Sequence, residues 1–175
     1  MHDNDDDEFE QLASSPSTSS SSPSSARKGL SLKARAVGLL SRREHSRLEL
    51  ARKLRSYVDP DHPDELDQLL NDLERENWLS DERFAQSLVH RRAQRGTALI
   101  VQELKQHGLA DTQITELRER LKDTELDRAR TVWEKKFGRA PEDAKDYARQ
   151  FRFLASRGFS ANCLRLILGE LDELP

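Results

Sequence analysis

The folded part of this chain is written three times. Leu54, Leu104 and Leu154 are spaced fifty residues apart, and each lies at a helix end of the same kind. Leu104-Lys105-Gln106-His107-Gly108-Leu109 lines up with Leu154-Ala155-Ser156-Arg157-Gly158-Phe159. The register continues, with Ile114 on Leu164, Leu117 on Ile167 and Leu121 on Leu171. The first copy, residues 54–58, is looser and carries an inserted loop before its closing helix. Upstream, Ala36/Leu39/Leu40/Arg43, Ala85/Leu88/Val89/Arg92 and Ala129/Val132/Trp133/Lys136 form a matching set, each ending on a basic residue. A period of this length means stacked helical units and an extended surface, which suits a macromolecular partner better than an enclosed small substrate.

Composition narrows the class further. Charged residues make up 35% of the 175 residues and hydrophobic ones 35%, so a large sheet core is disfavoured against helices with thin apolar stripes. The net charge of -3 conceals an asymmetry. Residues 1–26 hold six acids (Asp3, Asp5, Asp6, Asp7, Glu8, Glu10) and no Lys or Arg, so the remainder, 29 basic against 26 acidic, carries +3. That is a mildly basic body behind an acidic tail, compatible with a nucleoprotein or nucleic-acid partner. Residues 13–25 contain nine serines and two prolines, a composition that cannot offset the entropy of ordering. Residues 1–28 therefore read as a disordered tail, able to compete weakly for a basic surface. The acidic start is unlike a signal peptide, and no stretch is apolar enough to span a membrane, which points to the cytoplasm.

From Gly29 onward the pattern is helical, an all-α chain of nine helices in three triplets: 29–79, 80–123 and 124–175. The first helix is expected over 31–42. Ser46-Arg47-Leu48-Glu49 has the form of a capping box, with the Glu49 carboxylate reaching back to Ser46. Residues 59–63 stop that helix, and a third follows through Leu66, Leu69, Leu70 and Leu73. Ser80 caps the fourth, with Asp81 and Glu82 complementing its positive end. That helix is expected to end at Arg95-Gly96, Gly96 taking the left-handed conformation. Thr97 is expected to cap the fifth, Gly108 to end it, and Asp111 or Thr112 to begin the sixth. The seventh is placed over 125–137, the eighth over 141–157 from Pro141, and the ninth over 160–173.

No catalytic constellation stands out. The single cysteine, Cys163, excludes an internal disulfide and a Cys-based zinc cage, and its apolar neighbours mark it as a buried structural thiol. Asp59, Asp61, His62, Asp64 and Glu65 lack the ordered spacing of a calcium loop. His45 and His90 lie near arginines rather than beside a nucleophile. Clustered cations are the informative signal. Arg42, Arg43 and Arg47 flank the first helix junction, Arg91, Arg92 and Arg95 the second, and Lys135, Lys136 and Arg157 recur in the third unit beside Phe137 and Phe159. Arg offers a bidentate fork to carboxylate or phosphate, while local pairing with Glu44 and Glu49 is an equal alternative for the first set. The phenylalanines are expected to pack between units, beside glycine helix ends.

At these residues the chain resembles the RecX family of regulatory proteins. The resemblance rests on Arg42 to Leu50, the Leu79-Ser80-Asp81-Glu82-Arg83-Phe84-Ala85 entry to the second unit, and Gln102-Glu103-Leu104 through Gly108-Leu109. Asp127 with Ala129, Lys135-Lys136-Phe137 and Arg157-Gly158-Phe159-Ser160 complete it, from about residue 31 to the end. It implies three tandem three-helix repeats forming an elongated, curved helical array. It also implies a function: lodging in the groove of the RecA recombinase filament on single-stranded DNA and inhibiting ATP hydrolysis, strand exchange and co-protease activity. The nine basic residues just named are the candidate contacts. A monomer without cofactor or enzymatic turnover is expected, with weak DNA contact of its own. A stand-alone helical DNA-binding module is the alternative, against which the small body charge and the lack of a strongly basic recognition helix both argue.

Overall fold

A computed structural model describes residues 30–169 of the chain. The expected tail over 1–28 lies outside the described residues, whereas the last helix, expected to reach Glu173, stops at Leu168, where Gly169 at φ +81° caps it. Within them the architecture is all-α, as expected, in three tandem triplets. The elements are α1 (Leu32–Leu40), α2 (Arg47–Leu54), a short 3-10 turn (Arg55–Tyr57), α3 (Glu65–Arg75), α4 (Asp81–Arg91), α5 (Thr97–Gln106), α6 (Asp111–Asp123), α7 (Glu125–Lys136), α8 (Ala144–Ser156) and α9 (Ala161–Leu168).

The repeated apolar positions are what each triplet buries. Leu54, Leu104 and Leu154 are fully enclosed, as are the small residues Ala36, Ala85 and Ala129, which let the first helix of each triplet approach its neighbours. Around them form three separate cores, one spanning residues 32–79, one 84–121 and one 129–164. A set of small cores in series, rather than one large one, is how a chain this charged finds enough apolar contact. Helix ends follow suit. Ser31, Ser46, Ser80, Asp143 and Ser160 each accept a backbone N–H of the first turn that follows. Gly108 and Gly158, at φ of +77° and +83°, close α5 and α8 in left-handed turns, and Asn77, at +64°, closes α3 the same way.

Several local expectations are corrected. α4 stops at Arg91, not at Gly96, because i→i+3 bonds from Ala93 to His90 and from Arg95 to Arg92 tighten the chain into turns. Gly96 is not left-handed; at φ -71° it is the N-cap of α5, and Thr97 is the first helical residue rather than the cap. α8 begins at Ala144 because the Asp143 side chain supplies the cap, 2.6 Å from the Asp146 nitrogen, leaving the buried Pro141 ahead of the helix. The capping box at Ser46 is half formed. Ser46 accepts the Glu49 N–H at 3.1 Å, but the Glu49 carboxylate turns to Arg43 instead of back to Ser46. Phe137 packs edge-on against Phe153 inside the third triplet, with ring centres 5.2 Å apart, rather than between triplets. Phe159 is buried in the third core, while its backbone nitrogen lies at the junction beside Gly96.

One joint is used twice to dock each triplet onto the next. The leading acid of each new triplet reaches back to the start of the previous triplet's middle helix: Asp81 accepts the Arg47 N–H and Glu125 the Thr97 N–H, both at 2.9 Å. These are free helix-start donors that need an acceptor. The left-handed glycine of the new triplet then sits against the same helix start, Gly108 on Leu48 and Gly158 on Leu99. At the second joint the backbones also bond directly, the Gly96 N–H donating to the Arg157 carbonyl at 2.8 Å.

Candidate partner-binding surface

The nine basic candidates separate by what their charges meet. Arg43 pairs with Glu49 and donates to the Glu44 carbonyl at 3.0 Å. Arg47 joins Glu74 at 2.8 Å and Asn71 at 2.9 Å. In the second triplet Arg92 clasps Glu103 through two nitrogens at 2.8 to 3.1 Å, and Arg95 approaches the same carboxylate at 3.4 Å. The Arg92 bond holds the Glu103 carboxyl below its ordinary range despite the opposing effect of burial. These four arginines are thus occupied by carboxylates of their own triplet. They read as structural pins on the surface, each pair contributing under about 1 kcal/mol.

The remaining five have no carboxylate partner among the described residues. Arg42 is exposed beside Leu39, Lys53 and Tyr57, and Arg91 donates only to the Ser87 carbonyl, at 3.3 Å. Lys135, Lys136 and Arg157 converge. Phe153 lies between them, with the Arg157 guanidinium 4.1 Å and the Lys136 ammonium 5.9 Å from its ring centre. Together with Val132 and Gln94 these side chains line a hollow of about 330 Å³, and none of its lining residues is acidic. The repeat register explains the difference. With Leu104 on Leu154, Glu103 falls on Phe153: the carboxylate that neutralises the second triplet is an aromatic in the third.

Sequence reasoning missed the residues that hold this surface in place. Glu125 is buried, accepting the Thr97 N–H and, at 2.7 Å, the Ser160 hydroxyl. Arg128 beside it donates to the Thr97 hydroxyl at 3.2 Å, to the Leu121 carbonyl at 2.9 Å, and to the Arg95 carbonyl. Asp81 complements its own helix dipole and also serves the neighbouring triplet, and burial pushes its carboxyl above the ordinary range. An acid at the first helical position of two triplets was the visible signal, but it is shared with every well-started helix. Cys163 is buried as expected, and burial, with Glu125 nearby, pushes its thiol up to about 11. At pH 8 about a thousandth of it is thiolate, so native protein should resist iodoacetamide and react only on unfolding, as mass spectrometry would read out. No group of residues among those described is arranged to hold a metal ion, and no helix among them is long and apolar enough to cross a membrane.

Comparison with known proteins closes the identification. "Regulatory protein RecX" of Ralstonia pickettii is 52% identical over 149 residues, covering 85% of this chain and 92% of the relative. The chain belongs to the RecX family. Two RecX family models match, the second three-helix domain at residues 80–117 and the third at 123–165. A further RecX, of Leptothrix cholodnii, is 48% identical over 150 residues, covering 85% of this chain and 94% of the relative. The crystal structure of RecX from Lactobacillus salivarius superposes with a TM-score of 0.65 at 24% identity, over 81% of this chain and 94% of that one. At that identity the likeness concerns the fold, which is the same tandem helical array. The family is thus one of regulatory proteins built from three-helix units, and the joints described above are how this RecX-family chain assembles them.

Proposed function

We propose that this chain binds the RecA filament on single-stranded DNA and restrains it, inhibiting ATP hydrolysis, strand exchange and co-protease activity. The observation that carries the reading is the set of cations without a counter-anion among the described residues, held on a tandem array in a RecX-family chain. Arg42, Arg91, Lys135, Lys136 and Arg157 are the contact residues, and the paired Arg43, Arg47, Arg92 and Arg95 position them. Cations spread over successive triplets can touch successive protomers, and linked weak contacts gain from effective concentration. The protein acts in the cytoplasm, as a monomer and without a cofactor.

The test is DNA-dependent ATP hydrolysis by the cognate RecA while this chain is titrated in. Inhibition is expected, with Lys135→Glu and Lys136→Glu together raising the half-inhibiting concentration at least tenfold. Both lysines are exposed, so circular dichroism should show an unchanged fold. Unchanged hydrolysis with tight binding to bare DNA would sink the reading in favour of a DNA-binding module. The same cations give that second reading some support, and its signature would be a steep fall of affinity with salt.

A further inference from the structure

The hollow between α7 and α8 has a charge that the fold does not balance. In the second triplet the cations at the matching place share Glu103. In the third, Phe153 stands there and Lys135, Lys136 and Arg157 surround an apolar floor of Phe153 and Val132. Converging like charges repel, so the arrangement favours an anionic occupant with an apolar group of its own. A nucleic-acid base is a poor match. Arg157 and Lys136 already sit over the Phe153 ring, where a stacking base would have to lie, and Phe137 packs against it at 86°. Carboxylates need no ring face; they take the outer donors of the cations.

The chain carries such a segment itself. Asp5-Asp6-Asp7-Glu8-Phe9-Glu10 sets one aromatic among acids, in a stretch without Lys or Arg. We propose that this segment is the resident ligand of the hollow, its carboxylates on Lys135, Lys136 and Arg157 and Phe9 against Val132, so that a partner must displace it. The nineteen residues from Gln11 to Gly29 reach at most about 65 Å, more than six helix diameters. A tether of this kind supplies an effective concentration of about a millimolar. A segment that binds in trans with a dissociation constant near 100 µM would then occupy the hollow about nine-tenths of the time. This inference stands apart from the RecA reading, since it concerns the hollow when no partner is present.

The experiment compares amide spectra of the full-length chain with those of a full-length variant whose tail is neutralised, Asp3, Asp5, Asp6 and Asp7→Asn with Glu8 and Glu10→Gln. The amides of Lys135, Lys136, Phe153 and Arg157 should shift between the two, while those around Leu50 stay in place. A synthetic peptide of residues 1–12, added in trans, should bind the neutralised chain about tenfold more tightly than the intact one, and Lys135→Glu with Lys136→Glu should abolish that binding. Absent shifts, or shifts confined to Arg42 or Arg91, would overturn the proposal. So would an oligothymidylate that moved the same four amides equally in both chains, which would make the hollow a nucleic-acid site. None of these readouts involves RecA, so its failure and that of the filament reading are separable.

Discussion

Replacing Gly96 with alanine is expected to separate the third triplet from the second. A Cβ at that position would lie 2.0 Å from the Gly158 carbonyl carbon and 2.2 Å from the Phe159 nitrogen, and both are backbone atoms that cannot rotate aside. The backbone bond from Gly96 to the Arg157 carbonyl would open with them. Overpacking of this kind costs about 3 kcal/mol or more, since it moves main chain rather than a side chain. Because each triplet has its own core, the expected outcome is a split unfolding curve rather than global loss of structure. Calorimetry or urea unfolding followed at Trp133, in the third core, would read it directly. Gly38→Ala is the matched control. No atom lies within 4 Å of a Cβ there, and α1 is a helix interior, so that change should stabilise by about 0.5 to 1 kcal/mol. If both variants unfolded in one transition at the parent midpoint, the close approach would not be what holds the joint.

Glu125→Ala should weaken the same joint by about 3 kcal/mol. It removes the acceptor for two helix starts and leaves the Arg128 guanidinium half-buried without its nearby anion. Glu125→Gln, which keeps the size and one carbonyl acceptor, should cost about half as much. The joint should also respond to acid. Burial alone would raise the Glu125 carboxyl, but bonds from Ser160 and Thr97, with Arg128 nearby, win and hold it below the ordinary glutamate range. A lowered carboxyl contributes stability that is present above the unfolded value, near 4.3, and is lost as pH falls through the folded one. Asp81, at the other joint, has its carboxyl raised by burial, so protonation there does not loosen the fold in the same way. Acid is therefore expected to uncouple the third triplet first, and Glu125→Gln to flatten that dependence. An acid transition equally steep in the variant would assign it to other carboxylates.

Helix content, the triplet count and most of the core were legible along the chain, because they follow from local apolar periodicity. Leu54, Leu104 and Leu154 are buried for the reason that made them visible: each lies on the apolar stripe of its own helix. Serine and aspartate caps were legible likewise, although α8 shifted from Pro141 to Asp143 when a side-chain acceptor competed with a favourable ring. Gly96 was readable as a helix boundary but for the wrong reason. Left-handed closure is a local property, whereas the space Gly96 must leave is dictated by Gly158, sixty-two residues away.

The candidate surface divides along the same line. Where the cations stand was set by the sequence alone: the same basic positions end corresponding helices in each triplet, and their count in the body exceeds that of the acids. Which of them keep their charge available was decided by tertiary structure. Arg47 finds Glu74 twenty-seven residues on and Arg92 finds Glu103 eleven on, while Lys135, Lys136 and Arg157 surround an aromatic. Neutralisation depends on distances of a few ångströms across packed helices, where the interaction falls off too steeply for position along the chain to predict it. The sequence determined three helical cores in series and a supply of positive charge. Packing decided which charges are paired and which stay without a carboxylate among the described residues.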